Sequence, residues 1–188
     1  MVNKYGNRHT PDYLSKNKLQ PLTTGKMSIS SKQGIIPFLW FDGRCEEAMN
    51  FYTSVFPDSQ INMLNRWAEG GPFPAGQVMQ GSVTLNGLTM HMFDAGPMFK
   101  FTEATSFFVS CKDQAEVDHY WNSLTADGGQ ESMCGWLKDK FGLSWQIVPT
   151  ILGEKSAAGN PQRTGKMFQA MMQMKKMDVA ALEAAYNS

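Results

Sequence analysis

From residue 35 onward the chain alternates between short apolar runs that read with a period of two and longer stretches that read with a helical period. The run 35–41 predicts a strand that ends at an Asp42-Gly43 turn. The segment from Arg44 to Phe56 then places Cys45, Ala48, Tyr52 and Val55 on one helical face before Pro57 stops it. Three further strands are predicted, at about 60–67, 78–85 and 88–94.

The same succession begins again at residue 106. A strand over 106–111 leads to Asp113-Gln114-Ala115-Glu116, whose acids have capping-box spacing, and the helix they open turns Val117, Tyr120, Trp121 and Leu124 inward until Gly128-Gly129 ends it. Strands near 131–134, 136–140 and 143–149 complete the second copy. Direct self-similarity supports the repeat. Gly87-Leu88-Thr89-Met90-His91-Met92-Phe93 matches Gly142-Leu143-Ser144-Trp145-Gln146-Ile147-Val148, and Ile36-Pro37-Phe38 corresponds to Thr105-Ser106-Phe107. The first copy is the longer one, and its extra length falls in the Gly/Pro-rich stretch 69–76.

After Pro149 the pattern turns helical. Asn160-Pro161 is a cap followed by a first-turn proline, Met167, Ala170, Met171 and Met174 repeat at helical spacing, and Asp178 caps a last helix carrying Val179, Leu182, Ala185 and Tyr186. The methionines read as a core or dimer seam, or else as an adaptable groove for a partner. The expected organisation is a leader over 1–33, a paired strand-helix-strand-strand-strand domain over 34–150 and a helical extension over 151–188, an α+β fold.

Composition narrows the function classes. Seventeen basic and 17 acidic side chains leave a formal net charge of +0, so no field draws the chain to nucleic acid, and no apolar run approaches bilayer length. The leader differs: six basic side chains stand against one acid up to Gln33, with neither periodicity nor a secretory apolar stretch, which predicts a disordered extension. Three cysteines, Cys45, Cys111 and Cys134, form neither a disulfide framework nor a zinc spacing, and a reducing cytoplasm is expected. Cys45 opens a helix, where the dipole favours a thiolate; the competing reading is a small core residue.

Several stretches together resemble a known family: Pro37-Phe38-Leu39-Trp40-Phe41-Asp42-Gly43, Ala48-Met49-Asn50-Phe51-Tyr52, Phe99-Lys100-Phe101-Thr102-Glu103-Ala104, Cys134-Gly135-Trp136-Leu137-Lys138-Asp139, Ser144-Trp145-Gln146-Ile147-Val148-Pro149 and Met174-Lys175-Lys176-Met177-Asp178. The sequence resembles the PhnB-like branch of the vicinal oxygen chelate superfamily, the glyoxalase, bleomycin resistance and dioxygenase group, whose domains in this branch often carry the label 3-demethylubiquinone-9 3-methyltransferase. The resemblance implies that the two tandem β-α-β-β-β modules form a cupped mixed sheet, with metal ligands offered by the first and fourth strands of each module, and that the protein pairs as a homodimer.

Aligning the glycine turns puts the four ligand positions at Pro37, His91, Ser106 and Gln146. Period-two alternation places Thr89 and His91 on one face, and likewise Ser144 and Gln146. The expected concave surface comprises Leu39, Thr89, His91, Ser106, Phe108, Ser110, Ser144 and Gln146. A catalytic divalent ion needs about three ligands among His, Cys, Asp and Glu, and this set supplies one. No metal site and no cofactor are therefore expected. His91 is the candidate catalytic residue, as a general base, a donor that orients a ligand, or a histidine satisfied by Gln146.

Trp40, Trp136 and Trp145 offer flat surfaces to an aromatic ligand or fill core, and Arg66 is a candidate carboxylate or phosphate clamp or a solvated edge charge. Methyl transfer from S-adenosylmethionine calls for a glycine-rich loop after a parallel strand, whereas Gly70-Gly71 and Gly128-Gly129 lie between predicted antiparallel elements. The leading expectation is a cytoplasmic homodimer that binds a small, partly apolar or aromatic molecule in the cup, with no nucleic-acid or membrane partner. The alternatives are a metal-dependent lyase, isomerase or dioxygenase, and a protein-interaction module with a vestigial cup.

Overall fold

The computed structural model describes residues 33–188, and the expected basic leader, apart from Gln33, lies outside the described residues. In chain order the first module is β1 (Phe38–Phe41), α1 (Cys45–Val55), β2 (Gln60–Arg66), β3 (Val78–Leu85) and β4 (Leu88–Asp94). The second is β5 (Ser106–Cys111), α2 (Gln114–Thr125), β6 (Gln130–Glu131), β7 (Trp136–Lys138) and β8 (Ser144–Pro149). Three helices follow, α3 (Ile151–Ala157), α4 (Pro161–Met171) and α5 (Val179–Asn187).

Each module builds one four-stranded mixed sheet, in the orders β1-β4-β3-β2 and β5-β8-β7-β6. In each, the first strand lies parallel to the fourth and the remaining neighbours are antiparallel. This is the tandem α+β arrangement that the repeat predicts. Among the described residues no helix is long and apolar enough to cross a membrane.

Caps explain where the helices begin. Asp113 accepts from the Glu116 amide at 2.9 Å, while Glu116 reaches back to the Lys112 amide at 2.9 Å, a capping box closed one residue before the cap. Asn160 and Asp178 cap α4 and α5 in the same way, through the amides of Arg163 and Ala181. Helix α1 has no such side chain at Arg44. Asp94, at the end of β4, caps it from across the module, accepting from the amides of Gly43 at 2.6 Å and Cys45 at 2.9 Å. A buried carboxylate thus meets the positive end of a helix and satisfies two of its orphan donors.

Both sheets turn one face to the helices, and these faces share one core that includes Leu39, Phe41, Met49, Tyr52, Met90, Met92, Trp121, Leu137, Trp145 and Ile147. A second core, of Leu152, Met167, Met177, Leu182 and Tyr186, holds the helical extension together. The strand expected over 131–134 is shorter because Cys134 and Gly135 both take positive φ, 58° and 79°, and turn the chain out of the ladder.

Candidate functional site

The faces turned away from the helices carry the candidate chemistry. On the first sheet β4 alternates strictly: Met90, Met92 and Asp94 face the helix, and Thr89, His91 and Phe93 face away. Cross-strand register adds the neighbours. His91 is paired with Phe38 of β1 and Ser82 of β3, Phe93 with Trp40 and Gln80, and Thr89 with Thr84. The Phe38 ring stacks on the imidazole with centroids 6.4 Å apart and planes 17° apart. His91 is only 8% exposed, yet neither imidazole nitrogen has a hydrogen-bond partner among the described residues. The first sheet thus holds an imidazole against an aromatic wall with its polar atoms uncommitted.

On the second sheet, Gln146 is paired with Phe108 of β5 and Trp136 of β7, while Ser144 is paired with Ser106 and Lys138. The Gln146 amide donates through Nε2 to Ser106 Oγ at 2.8 Å, which fixes the side chain and leaves Oε1 as an acceptor. Ser144 is fully buried, and its hydroxyl has no hydrogen-bond partner among the described residues. Phe38 and Phe108 occupy equivalent places beside His91 and Gln146 and are 58% and 61% exposed, respectively. Ser110 lies on the Phe108 face and is also exposed.

These pairings correct the expected register of β1. Leu39 is paired with the buried Met92 and is itself buried in the core, so it does not belong to the His91 face; Phe38 and Trp40 do. Pro37 likewise is not the counterpart of Ser106, since Phe38 bears to His91 the relation that Phe108 bears to Gln146. The slip has a physical cause: Phe38-Leu39-Trp40-Phe41 is apolar on both faces, so alternation gives no parity, and a one-residue shift exchanges the faces.

No hydrogen bond or ring contact joins the His91 side chain to the Gln146 side chain among the described residues. Arg66 also stands apart from both. It sits on β2, at the edge of the sheet opposite β1, where it forms a two-pronged ion pair with Glu46 at 2.5 and 2.9 Å and donates to the Gly76 carbonyl at 2.8 Å. The hydrogen bond from Arg66 holds the Glu46 carboxyl below its usual range. Cys45 is buried, and burial, followed by Asp94 and Glu46, pushes its thiol up to about 12, so the helix start produces no thiolate. Trp145 faces the core, stacked on Phe56 at 5.1 Å. No group of three or more His, Cys, Asp or Glu side chains is placed to hold a metal ion among the described residues.

The residues missed from sequence are Phe38, Ser82 and Gln80, brought to these faces by strand register; Trp136, one of the expected flat surfaces, lies beside Gln146. Had β1 carried one polar residue, alternation would have revealed Phe38. Ser82 and Gln80 needed the β3–β4 hairpin pairing about the Asn86-Gly87 turn.

Comparison with known proteins places this architecture. Residues 33–148 match the profile of the family described as 3-demethylubiquinone-9 3-methyltransferase. The PhnB protein from Bacillus cereus, whose description carries the same methyltransferase name, is 40% identical over a match covering 62% of this chain and 99% of that one, with a TM-score of 0.59. Protein PA1353 from Pseudomonas aeruginosa shares the fold at 21% identity and a TM-score of 0.52, over 61% of this chain and 96% of that one. No curated protein matches the sequence. With its tandem modules, its parallel first and fourth strands and this match, the chain belongs to the PhnB-like family described as 3-demethylubiquinone-9 3-methyltransferase.

Proposed function

We propose that the His91 and Gln146 faces bind a small, partly apolar or aromatic molecule without a catalytic metal, in a cup that a second copy of the chain completes. The observation that carries this reading is the repeated pairing of a polar side chain that keeps a free hydrogen-bonding atom among the described residues with an exposed phenylalanine, His91 with Phe38 and Gln146, through Oε1, with Phe108. Large exposed aromatics at equivalent places on two sheets mark surfaces that are covered in use. His91 hydrogen-bonds a polar substituent of the ligand, Gln146 Oε1 accepts from another, and the phenylalanines pack on its apolar part.

The donor set does not suit a resident catalytic ion. It comprises one imidazole, one neutral amide already bonded to a serine, and serine hydroxyls, against the three or so ligands such an ion requires. The methyl transfer in the family's description also lacks its usual device here, because Gly70 and Gly128 sit in turns that lead into antiparallel strands rather than between a parallel strand and a helix.

A thermal-shift screen of small aromatic compounds, run with and without a chelator, tests the reading. A binding compound should raise the melting temperature in proportion to the logarithm of its excess over Kd, equally in both arms. Its affinity should fall roughly tenfold, about 1.4 kcal/mol, in His91→Ala. Stoichiometric bound metal that disappears in His91→Ala would overturn the proposal.

The completing copy has its own test. Sedimentation velocity should give twice the chain mass, and Phe108→Lys, which puts a charge on an exposed aromatic position, should shift the protein to monomer while leaving its far-UV circular dichroism unchanged. A wild type that sediments as a monomer at all concentrations would refute pairing.

A further inference from the structure

A cavity lies at the end of β1, where it shares Trp40 with the His91 face. It has a volume of about 380 Å³, and its walls come from both modules and from the loop between them, among them the aromatic residues Trp40, Phe99, Phe101 and Phe141 and the cationic residues Arg44, Lys100 and Lys138. From this combination we infer a binding site for a planar aromatic anion, a one- or two-ring carboxylate, separate from the ligand proposed for His91 and Gln146.

Size and shape come first. The volume sits at the lower end of the range for small-molecule sites, which fits one or two fused rings and excludes a dinucleotide. The walls are preformed. Trp40 donates from Nε1 to the Gly96 carbonyl at 2.7 Å, fixing the indole and the start of the 95–104 loop. Phe99 meets that indole edge-on at 4.9 Å and is nevertheless 59% exposed, so much of its ring surface is uncovered. Phe101 packs edge-on against Phe41 at 5.3 Å, and Phe141 lies under the Arg44 guanidinium, 4.5 Å from the ring centroid. A flat ring entering the cavity gains contacts with these aromatic rings.

Charge selects an anion. Three of the lining residues are cationic and one, Asp42, is acidic. Lys100 forms no ion pair among the described residues. Arg44 is held by Glu47 at 2.8 Å and Lys138 by Glu103 at 2.5 Å; neither glutamate belongs to the wall, and the Glu103 side chain is 65% exposed. An exposed arm of that kind is weakly held and exchangeable, so an entering carboxylate can replace Glu103 on Lys138 while Lys100 supplies a second cation.

Naphthalene-2-carboxylate is a suitable probe, with naphthalene-2-carboxamide as its neutral isostere. Both would be titrated into the full ¹⁵N-labelled chain, with the Trp40 indole resonance assigned by Trp40→Phe. The carboxylate should shift the Trp40 indole and the Phe99 and Lys100 amides, and should bind about tenfold tighter than the carboxamide. Lys100→Gln should weaken the carboxylate about fivefold without lowering the melting temperature, and Glu103→Gln should strengthen it by freeing Lys138. His91→Ala should leave these shifts unchanged, which separates this site from the His91 face. Equal affinity for the two probes, no loss in Lys100→Gln, weaker binding in Glu103→Gln, or shifts confined to residues around His91 and Gln146 would each overturn the inference.

Discussion

Replacing Asp139 with alanine is expected to lower the unfolding free energy by about 4 kcal/mol and the melting temperature by roughly 10 °C. Asp139 is buried between the modules, and four donors converge on it. Tyr52 Oη and Trp145 Nε1 donate to Oδ2 at 2.7 and 2.8 Å, and the amides of Phe141 and Leu143 donate to Oδ1 at 2.9 and 3.0 Å. Tyr52 belongs to α1, and the other three belong to the second module, so the carboxylate ties the two repeats together. Alanine leaves all four donors unpaired in the core, each at a desolvation cost of about 1–3 kcal/mol before relaxation. Asparagine should cost less: its oxygen still serves the two amides and the Tyr52 hydroxyl can turn to accept, but the Trp145 N–H finds an N–H₂ group opposite it.

The same residue makes stability depend on pH. Burial pushes the Asp139 carboxyl above its usual range, although the hydrogen bonds from Trp145, Tyr52, Phe141 and Leu143 pull it back. The folded chain therefore holds this proton more tightly than the unfolded chain does. Its contribution to stability falls as the pH rises from the ordinary carboxylate value through the raised folded one. Chemical denaturation at a series of pH values should show that slope in the wild type and not in Asp139→Asn. An alanine variant within about 1 kcal/mol of the wild type would refute the assigned role.

What could be read from the sequence and what could not follow the same physical line. Strands 78–85, 88–94 and 106–111 and the inward set Val117, Tyr120, Trp121 and Leu124 were legible because each lies in a segment with one wet and one dry side or with a clear turn at its end. The faces of His91 and Gln146 were legible for that reason too. The parity of β1 was not, since all four of its residues are apolar. The two buried carboxylates were also hidden. Asp94 caps a helix that begins 49 residues earlier in the chain, and Asp139 meets Tyr52 across 87 residues, contacts for which no local pattern exists. Arg66 gave no sign that Glu46, 20 residues away, already occupied its guanidinium.

The second large effect is expected at Gly135, two residues after Met133 in the turn that starts β7. Its φ of +79° already disfavours a side chain, and a Cβ there would lie 2.6 Å from the Ile147 carbonyl oxygen and 2.8 Å from Met177 Cε. The methionine tip can move; the carbonyl, in the buried strand β8, cannot. The same backbone clamps the helical extension, because Cys134 and Gly135 donate their amides to the carbonyls of Met174 and Lys175 at 2.7 and 2.8 Å, and the Gly135 carbonyl accepts from Ile147 at 2.8 Å. Gly142→Ala provides the comparison: its φ is +86° and nothing lies within 4 Å of an added Cβ, so only the left-handed conformation is penalised, by about 1 kcal/mol. Gly135→Ala should cost about 3 kcal/mol, the difference measuring the collision with β8. It should also loosen the segment between α4 and α5, seen as faster hydrogen exchange at Cys134 and Gly135 and new proteolytic cleavage over 172–178. Equal destabilisation by the two substitutions would show that the approach of β8 to this turn is not what fixes glycine there.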